Sequence, residues 1–370
     1  MAEGEGALAG LKVVDLSRVL GGPFCTQILG DHGADVIKVE PPAGDETRTW
    51  GPPFQDGTAA YFIGVNRNKR GLVLDLTSED GRTALFGLLD GADVMIENFK
   101  TGTLEKWGIG GEALRERFPK LIHCRISGFG ADGPLGGMPG YDAAVQAMSG
   151  LMSVNGEAEG GPTRIGVPVV DLVTGLNATI GILMALHERE RSGQGQFVET
   201  TLFDCAISLL HPHLANYFMS GGAPKRHGNA HANVAPYETF ATRTSPLFLA
   251  VGNNGQFRKL CEKLGCPELA DDERFRDNSD RIKNRLAMKP LLEECLANFD
   301  GAALAGELLK AGVPCAPVLT VPEAIAHPQA RHRGLTVEMD GYRGIASPIR
   351  LSRNPASYRL TPPEWGNDEK

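Results

Sequence analysis

Leu11-Lys-Val-Val-Asp-Leu-Ser-Arg-Val-Leu-Gly-Gly-Pro-Phe-Cys-Thr-Gln-Ile-Leu-Gly-Asp-His-Gly-Ala-Asp-Val-Ile-Lys-Val-Glu40 reads as strand, loop, helix and strand. Leu11–Leu16 is a short run rich in β-formers, and Ser17–Pro23 is a turn-prone segment holding Gly21 and Gly22. Phe24–Gly33 has helical spacing and ends on glycine, and Ala34–Glu40 is a second apolar strand. Together they predict a βαβ unit with a right-handed crossover, the seed of a parallel sheet. Outward from it, strands are expected at 71–76, 92–96 and 121–126, with a helix over 78–89. The first 130 residues therefore predict a doubly wound α/β segment. Residues 128–166 are rich in Gly and Pro and predict irregular structure, with one short helix near 143–148. A long helix over 171–190, apolar on most faces, is expected to be buried. A strand follows at 197–202, strands at 237–240 and 247–251, and helices through 256–309.

The chain has 370 residues, enough for about two domains. Its 42% hydrophobic and 22% charged residues suit a packed core. The net charge of -8 argues against a nucleic-acid partner, whose binding needs a basic surface. Glycine is in excess, 47 residues, which points to tight turns and close backbone approaches. The seven scattered cysteines and a start without a basic-then-apolar pattern predict a cytoplasmic protein with reduced thiols. Gly175–Leu186 falls short of the roughly 18 apolar residues a membrane span needs.

Several chemistries lack their motifs. Gly4 and Gly6 precede the first strand, and the loop after it carries Gly21-Gly22-Pro23, so no dinucleotide fingerprint forms. There is no P-loop and no G-x-S-x-G elbow. The pairs His211/His213 and His227/His231 lack acidic or cysteine neighbours at ligand spacing, so no metal is expected. Asp171 is different. It closes the run Gly166–Val170 and opens the long helix, the position of an N-cap. Such a carboxylate is either a structural cap or an anion held ionised at a helix N-terminus and available as a nucleophile. Lys38, the Asn66–Arg70 cations and Lys100 with Lys106 lie near expected strand ends. They form either a solvated rim or a seat for a phosphate-bearing ligand.

In chain order stand Leu11–Val19 with Gly22-Pro23, Gly33–Glu40, Asp45–Arg48, Asn66–Arg70, Glu97-Asn98-Phe99, Gly140-Tyr141-Asp142, Val170-Asp171, Gly193–Gln196 and Gly312–Val318. This series resembles the class III CoA-transferases, relatives of formyl-CoA transferase and α-methylacyl-CoA racemase. The resemblance implies coenzyme A, brought as an acyl-CoA substrate, and a catalytic carboxylate at Asp171 that passes through anhydride and aspartyl-CoA thioester intermediates. Positions matching the family's CoA contacts are Val19, Leu74, Asn98, Phe99 and Leu202, with Tyr141 beside them. Lys106 stands where some members carry Arg, keeping the charge but losing the planar fork. The alternative is a 2-methylacyl-CoA racemase, which resembles this sequence but has His where Tyr141 stands. A tyrosine, with pKa about 10, is a poor base at neutral pH. Within the family, Arg48–Phe54, Ser149–Met152, Ala215–Tyr217, Pro236-Tyr237 and Gly252–Asn254 are similar to members acting on succinyl-CoA and glutarate or hydroxymethylglutarate. A small dicarboxylate acceptor is then implied. Arg48 is a candidate for its distal carboxylate, because guanidinium pairs bidentately with such groups.

The resemblance also implies an α/β fold of large Rossmann-like and small α+β domains. Residues 1–205 begin the large domain, 206–235 are a linker, 236–320 form the inserted small domain, and 321–370 return to complete the large one. Two such chains would interlock as a ring-shaped homodimer. Substrates are expected to be its only other partners, with neither nucleic acid nor membrane.

Overall fold

The computed structural model describes residues 6–366. They divide into two units. The first takes its described residues from 6–151, 165–209 and 327–366, and the second comprises 152–164 and 210–326. Residues 152–164 therefore cluster apart from the rest of the expected 1–205 segment. The stretch 206–235 expected as a linker holds the end of the helix Leu202–Ser208 and the helix His213–Ser220 and, among the described residues, no further helix or strand.

The first unit is built on β1 (Lys12–Asp15), α1 (Gly21–Asp31), β2 (Asp35–Glu40), β3 (Lys69–Val73), α2 (Glu79–Leu89), β4 (Val94–Glu97), β5 (Ile122–Ser127), α3 (Asp142–Met148), α4 (Val169–Ser192), β6 (Phe197–Thr201) and α5 (Leu202–Ser208). The six strands form one sheet in the order β3-β2-β1-β4-β5-β6, every neighbouring pair parallel. Val13 and Val14 on β1 and Met95 and Ile96 on β4 are all but inaccessible, as central strands covered on both faces require. On one face Val14, Leu16, Leu85, Leu89 and Met95 join a single apolar cluster.

On the other face α1 packs against α4. A Cβ on Gly175 would fall 2.5 Å from the Gly21 carbonyl oxygen, so only glycine lets the two backbones approach this closely. Val170, Thr174, Ala178, Ile182 and Ala185 are the buried stripe of α4. The expectation of a wholly buried helix fails, because Leu176, Ile180, Leu183 and Met184 are 40–67% exposed. By length and composition this 24-residue helix could also cross a membrane, which the shorter reading of Gly175–Leu186 misses.

The second unit pairs β7 (Tyr237–Phe240), β8 (Leu247–Ala250) and β9 (Cys315–Pro317) in an antiparallel sheet. Its core joins Phe240, Leu249, Phe257, Leu292 and Leu308 from that sheet and its helices. Asn253 caps the helix Asn254–Leu264 by accepting from Gln256 N.

Candidate active site

The strand order reverses between β1 and β4, so the two chains leaving their carboxyl ends diverge and open a crevice. Such a switch point is where open α/β sheets bind ligands. Here the crevice is a cleft of about 230 Å³ between the loop after β1, the loop after β4, the segment before α3 and the start of α4. Val19, Asn98, Phe99, Tyr141, Asp171 and Leu202 all line it.

The walls are held by hydrogen bonds that begin in the sequence motifs. Glu97, fully buried at the end of β4, accepts from Phe99 N at 2.8 Å and from Arg125 Nε at 2.6 Å. Phe99 then stands edge-on to Trp107, with ring centroids 5.4 Å apart. Asn98 bonds both peptide groups of Arg18. The next residue, Val19, has φ +70°, a left-handed conformation that a β-branched side chain adopts only under constraint. Such strain costs about 1–3 kcal/mol.

Asp171 lies at the foot of the cleft as the third residue of α4, not as its N-cap. That place falls to Pro168, which offers no side-chain cap. The helix N–H groups go instead to Asp142 of α3, whose Oδ2 accepts from Val170 N at 2.8 Å and Asp171 N at 3.2 Å. The electrostatics expected at Asp171 are therefore reversed. Burial, and then the Asp142 charge, push its carboxyl up to about 7, so the helix does not hold it ionised well below neutrality. Tyr61, edge-on to Trp50, stands in the same field. Burial and the charges of Asp171, Asp142 and Asp45 raise its hydroxyl to about 12. Nothing in the sequence singled out Tyr61.

Three expected contacts lie elsewhere. Leu74 follows the edge strand β3, two strands from the switch point, and packs against the apolar cluster. Lys106 ends the turn Thr103–Lys106 on an exposed surface. Arg48 is buried, bidentate on Glu40 at 2.6 and 2.9 Å and bonded to the Pro363 carbonyl, with its guanidinium over the Phe62 ring. It lines a separate cavity with Trp365 rather than the Asp171 cleft.

Most of the cations considered for a phosphate seat are likewise engaged. Lys38 pairs with Asp45 at 3.1 Å, Lys69 with Asp15 at 3.1 Å and Arg67 with Asp31 at 2.6 Å, all buried. Arg70 pairs with Asp35 at the surface. The partners of Lys69 and Arg67 are distant in the sequence while Asp45 is seven residues from Lys38, and burial of an unpaired charge would be prohibitive. Lys38 also donates to Ser17 O at 2.9 Å and so braces the loop after β1. The cations that do line the cleft are Arg18 and Lys100. Arg18 Nε is buried without a hydrogen-bond partner among the described residues, a donor suited to an anionic ligand. Arg18 stands in the motif Leu11–Val19, where nothing in the sequence sets it apart from its neighbours.

The cleft thus combines a half-buried carboxyl, an apolar and aromatic wall, and cations at its rim. The family model described as CoA-transferase family III matches residues 8–369. The chain belongs to CoA-transferase family III; it is an enzyme, and CoA thioesters are its substrates. It is 42% identical to the succinate–glutarate CoA-transferase of Agrobacterium fabrum, over 98% of this chain and 94% of that one. To the acetyl-CoA:oxalate CoA-transferase of Acetobacter aceti it is 41% identical, over 95% and 90% of the two chains. A crystal structure of a CAIB/BAIF family protein from Brucella suis is similar throughout, with TM-score 0.87, 46% identity and coverage of 97% and 96%.

Proposed function

We propose that this enzyme moves CoA from an acyl-CoA, with succinyl-CoA as the leading donor, to a small dicarboxylate, and that Asp171 is the nucleophile. The observation that carries the proposal is the position of Asp171 at the foot of the switch-point cleft, beside Asn98 and Phe99. The names of the two relatives, which pair CoA transfer with succinate, glutarate and oxalate, favour dicarboxylates.

In the proposed sequence an Asp171 oxygen attacks the thioester carbonyl carbon. The C–S bond breaks, leaving an acyl–aspartyl anhydride and CoA thiolate. The thiolate attacks the aspartyl carbonyl and releases the donor acid as its carboxylate, giving an aspartyl-CoA thioester. The acceptor carboxylate then attacks that thioester and expels the thiolate, forming a second anhydride. Thiolate attack on the acceptor's carbonyl yields the new acyl-CoA and restores the Asp171 carboxylate. Arg18 and Lys100 would hold phosphate groups of CoA, while Val19, Phe99 and Leu202 shield the reacting atoms from water.

The exposed stripe Leu176, Ile180, Leu183 and Met184 supports a homodimer, since such a surface on α4 calls for cover by a second copy. Seven free thiols suit the reducing cytoplasm. Intact-mass analysis after mixing with succinyl-CoA tests the chemistry. A CoA adduct is expected on the wild-type chain and none on Asp171→Ala. An adduct that persists in the variant, or transfer by the variant at the wild-type rate, would overturn the role of Asp171.

A further inference from the structure

The first turn of a helix presents N–H groups without partners inside the helix, and they are the natural donors to a carboxylate nearby. In α4 two of these donors, on Val170 and Asp171, point to Oδ2 of Asp142, a residue of a different helix. The other oxygen of Asp142 accepts from Gln146 Nε2 at 2.6 Å, and Gln146 Oε1 accepts from Ile165 N at 2.9 Å. Asp142 is itself buried, at 7% exposure, and its orientation is fixed from both sides. It therefore does two things at once. It holds the peptide that carries Asp171, and it places a negative charge where the helix would otherwise have stabilised the Asp171 carboxylate.

We infer that Asp142 is a positioning residue for Asp171, orienting it through the hydrogen bonds from Val170 N and Asp171 N and setting a negative charge at the helix start that carries it. The inference rests on Asp171 acting as the nucleophile. The raised ionisation of Asp171, caused by burial and then by Asp142, agrees with it. The other ionisable groups around Asp171 are Tyr61, which feels its charge, and Tyr141, Glu46, Arg18 and Lys100, which line the cleft. Arg18 and Lys100 act in the opposite sense to Asp142. Asp142 alone among these groups bonds the Asp171 backbone.

The test is Asp142→Asn in the full-length enzyme. The amide oxygen can still accept both N–H groups, while the charge and the bond from Gln146 Nε2 are lost. The rate of CoA-adduct formation from succinyl-CoA is measured against pH for both proteins. The midpoint of the acidic limb is expected to fall by about one pH unit or more in the variant, with a lower plateau rate. A uniform loss at every pH with an unmoved midpoint would reduce Asp142 to a structural brace and overturn the inference. If the variant does not fold, carbon-13 NMR of the carboxyls in the wild type and in Asp142→Ser, assigned with Asp171→Asn, decides the matter, the Asp171 midpoint being expected to fall in Asp142→Ser and an unmoved midpoint overturning the inference. One carboxyl should titrate near neutrality, and disappearance of that signal in Asp171→Asn identifies it. Titration of Asp171 below pH 5 would overturn the inference. An adduct surviving in Asp171→Ala would instead mean that the nucleophile is misassigned, a result separate from either outcome above.

Discussion

Asn98 clamps Arg18 at both of its peptide groups: Asn98 Oδ1 accepts from Arg18 N at 2.9 Å, and Asn98 Nδ2 donates to Arg18 O at 2.7 Å. One side chain after β4 thereby fixes the loop after β1 across the switch point. At about 1 kcal/mol for each part-buried bond, the clamp contributes about 2 kcal/mol to the bound-state loop geometry. Asn98→Ala should raise KM for the acyl-CoA about thirtyfold, with a smaller change in kcat. Steady-state kinetics with saturating acceptor measures it, and an unchanged KM would refute the clamp.

Asp171 links stability to pH in a direction opposite to that of most carboxylates. Its folded value near 7 lies above its ordinary 3.8, so the folded chain holds the proton more tightly than the unfolded one. The stabilisation is fully present below about pH 4 and is lost as pH rises through 7. Above that the ionised group is unfavourable by something on the order of 4 kcal/mol. Asp171→Asn should accordingly be inactive yet more stable than the wild type at pH 8, with the difference fading towards pH 4. Urea unfolding at the two pH values measures this. In the wild type, adduct formation needs the anion and should be half-maximal near pH 7.

The Gly21–Gly175 approach leaves no room for a methyl group, since a Cβ on Gly175 meets the Gly21 carbonyl at 2.5 Å. Gly175→Ala should cost about 1–3 kcal/mol through overpacking. It should also depress kcat, because Gly175 lies one helical turn beyond Asp171 and the strain is relieved by moving that turn. Thermal melts and adduct formation report the two effects. Full activity with an unchanged Tm would show that the helices have slack.

Ile180→Glu, in the middle of the exposed α4 stripe, puts a charge where a second copy is proposed to pack. Sedimentation should show a dimer for the wild type and a monomer for the variant. A wild-type monomer would remove the proposed assembly.

Much of the sheet was legible because its signals are local. Leu11–Glu40 carries its own periodicity and glycines, and the observed β1, α1 and β2 fall within a few residues of the expected bounds. Val19, Asn98, Phe99 and Asp171 share a cleft because each follows or faces the end of a strand or the start of a helix. Charge pairings inside the fold are not legible, whether their partners are near in the sequence or far. Nothing in Lys38 or Lys69 alone tells that Asp45 and Asp15 neutralise them inside the protein. Asp171 lies three positions past the N-cap expected for it, because α4 begins at Val169 and Asp142, 29 residues upstream, accepts from its first-turn N–H groups. Arg48 carried the right chemistry for a carboxylate, but the partner it meets is Glu40 of its own chain.

Val19 holds its left-handed turn on a loop braced by Asn98 and Lys38. Both braces are the protein's own side chains, so the turn is set by the fold itself. A transferase of the proposed kind breaks a bond to the same thiol twice and forms one twice before it lets go. A wall that does not relax between those events keeps the freed thiolate facing the same carbonyl. The loop behaves as a preset mould, and fidelity of transfer over hydrolysis should rise with its stiffness. Replacing Val19 with glycine would then make a protein that folds more comfortably and leaks more acyl groups to water.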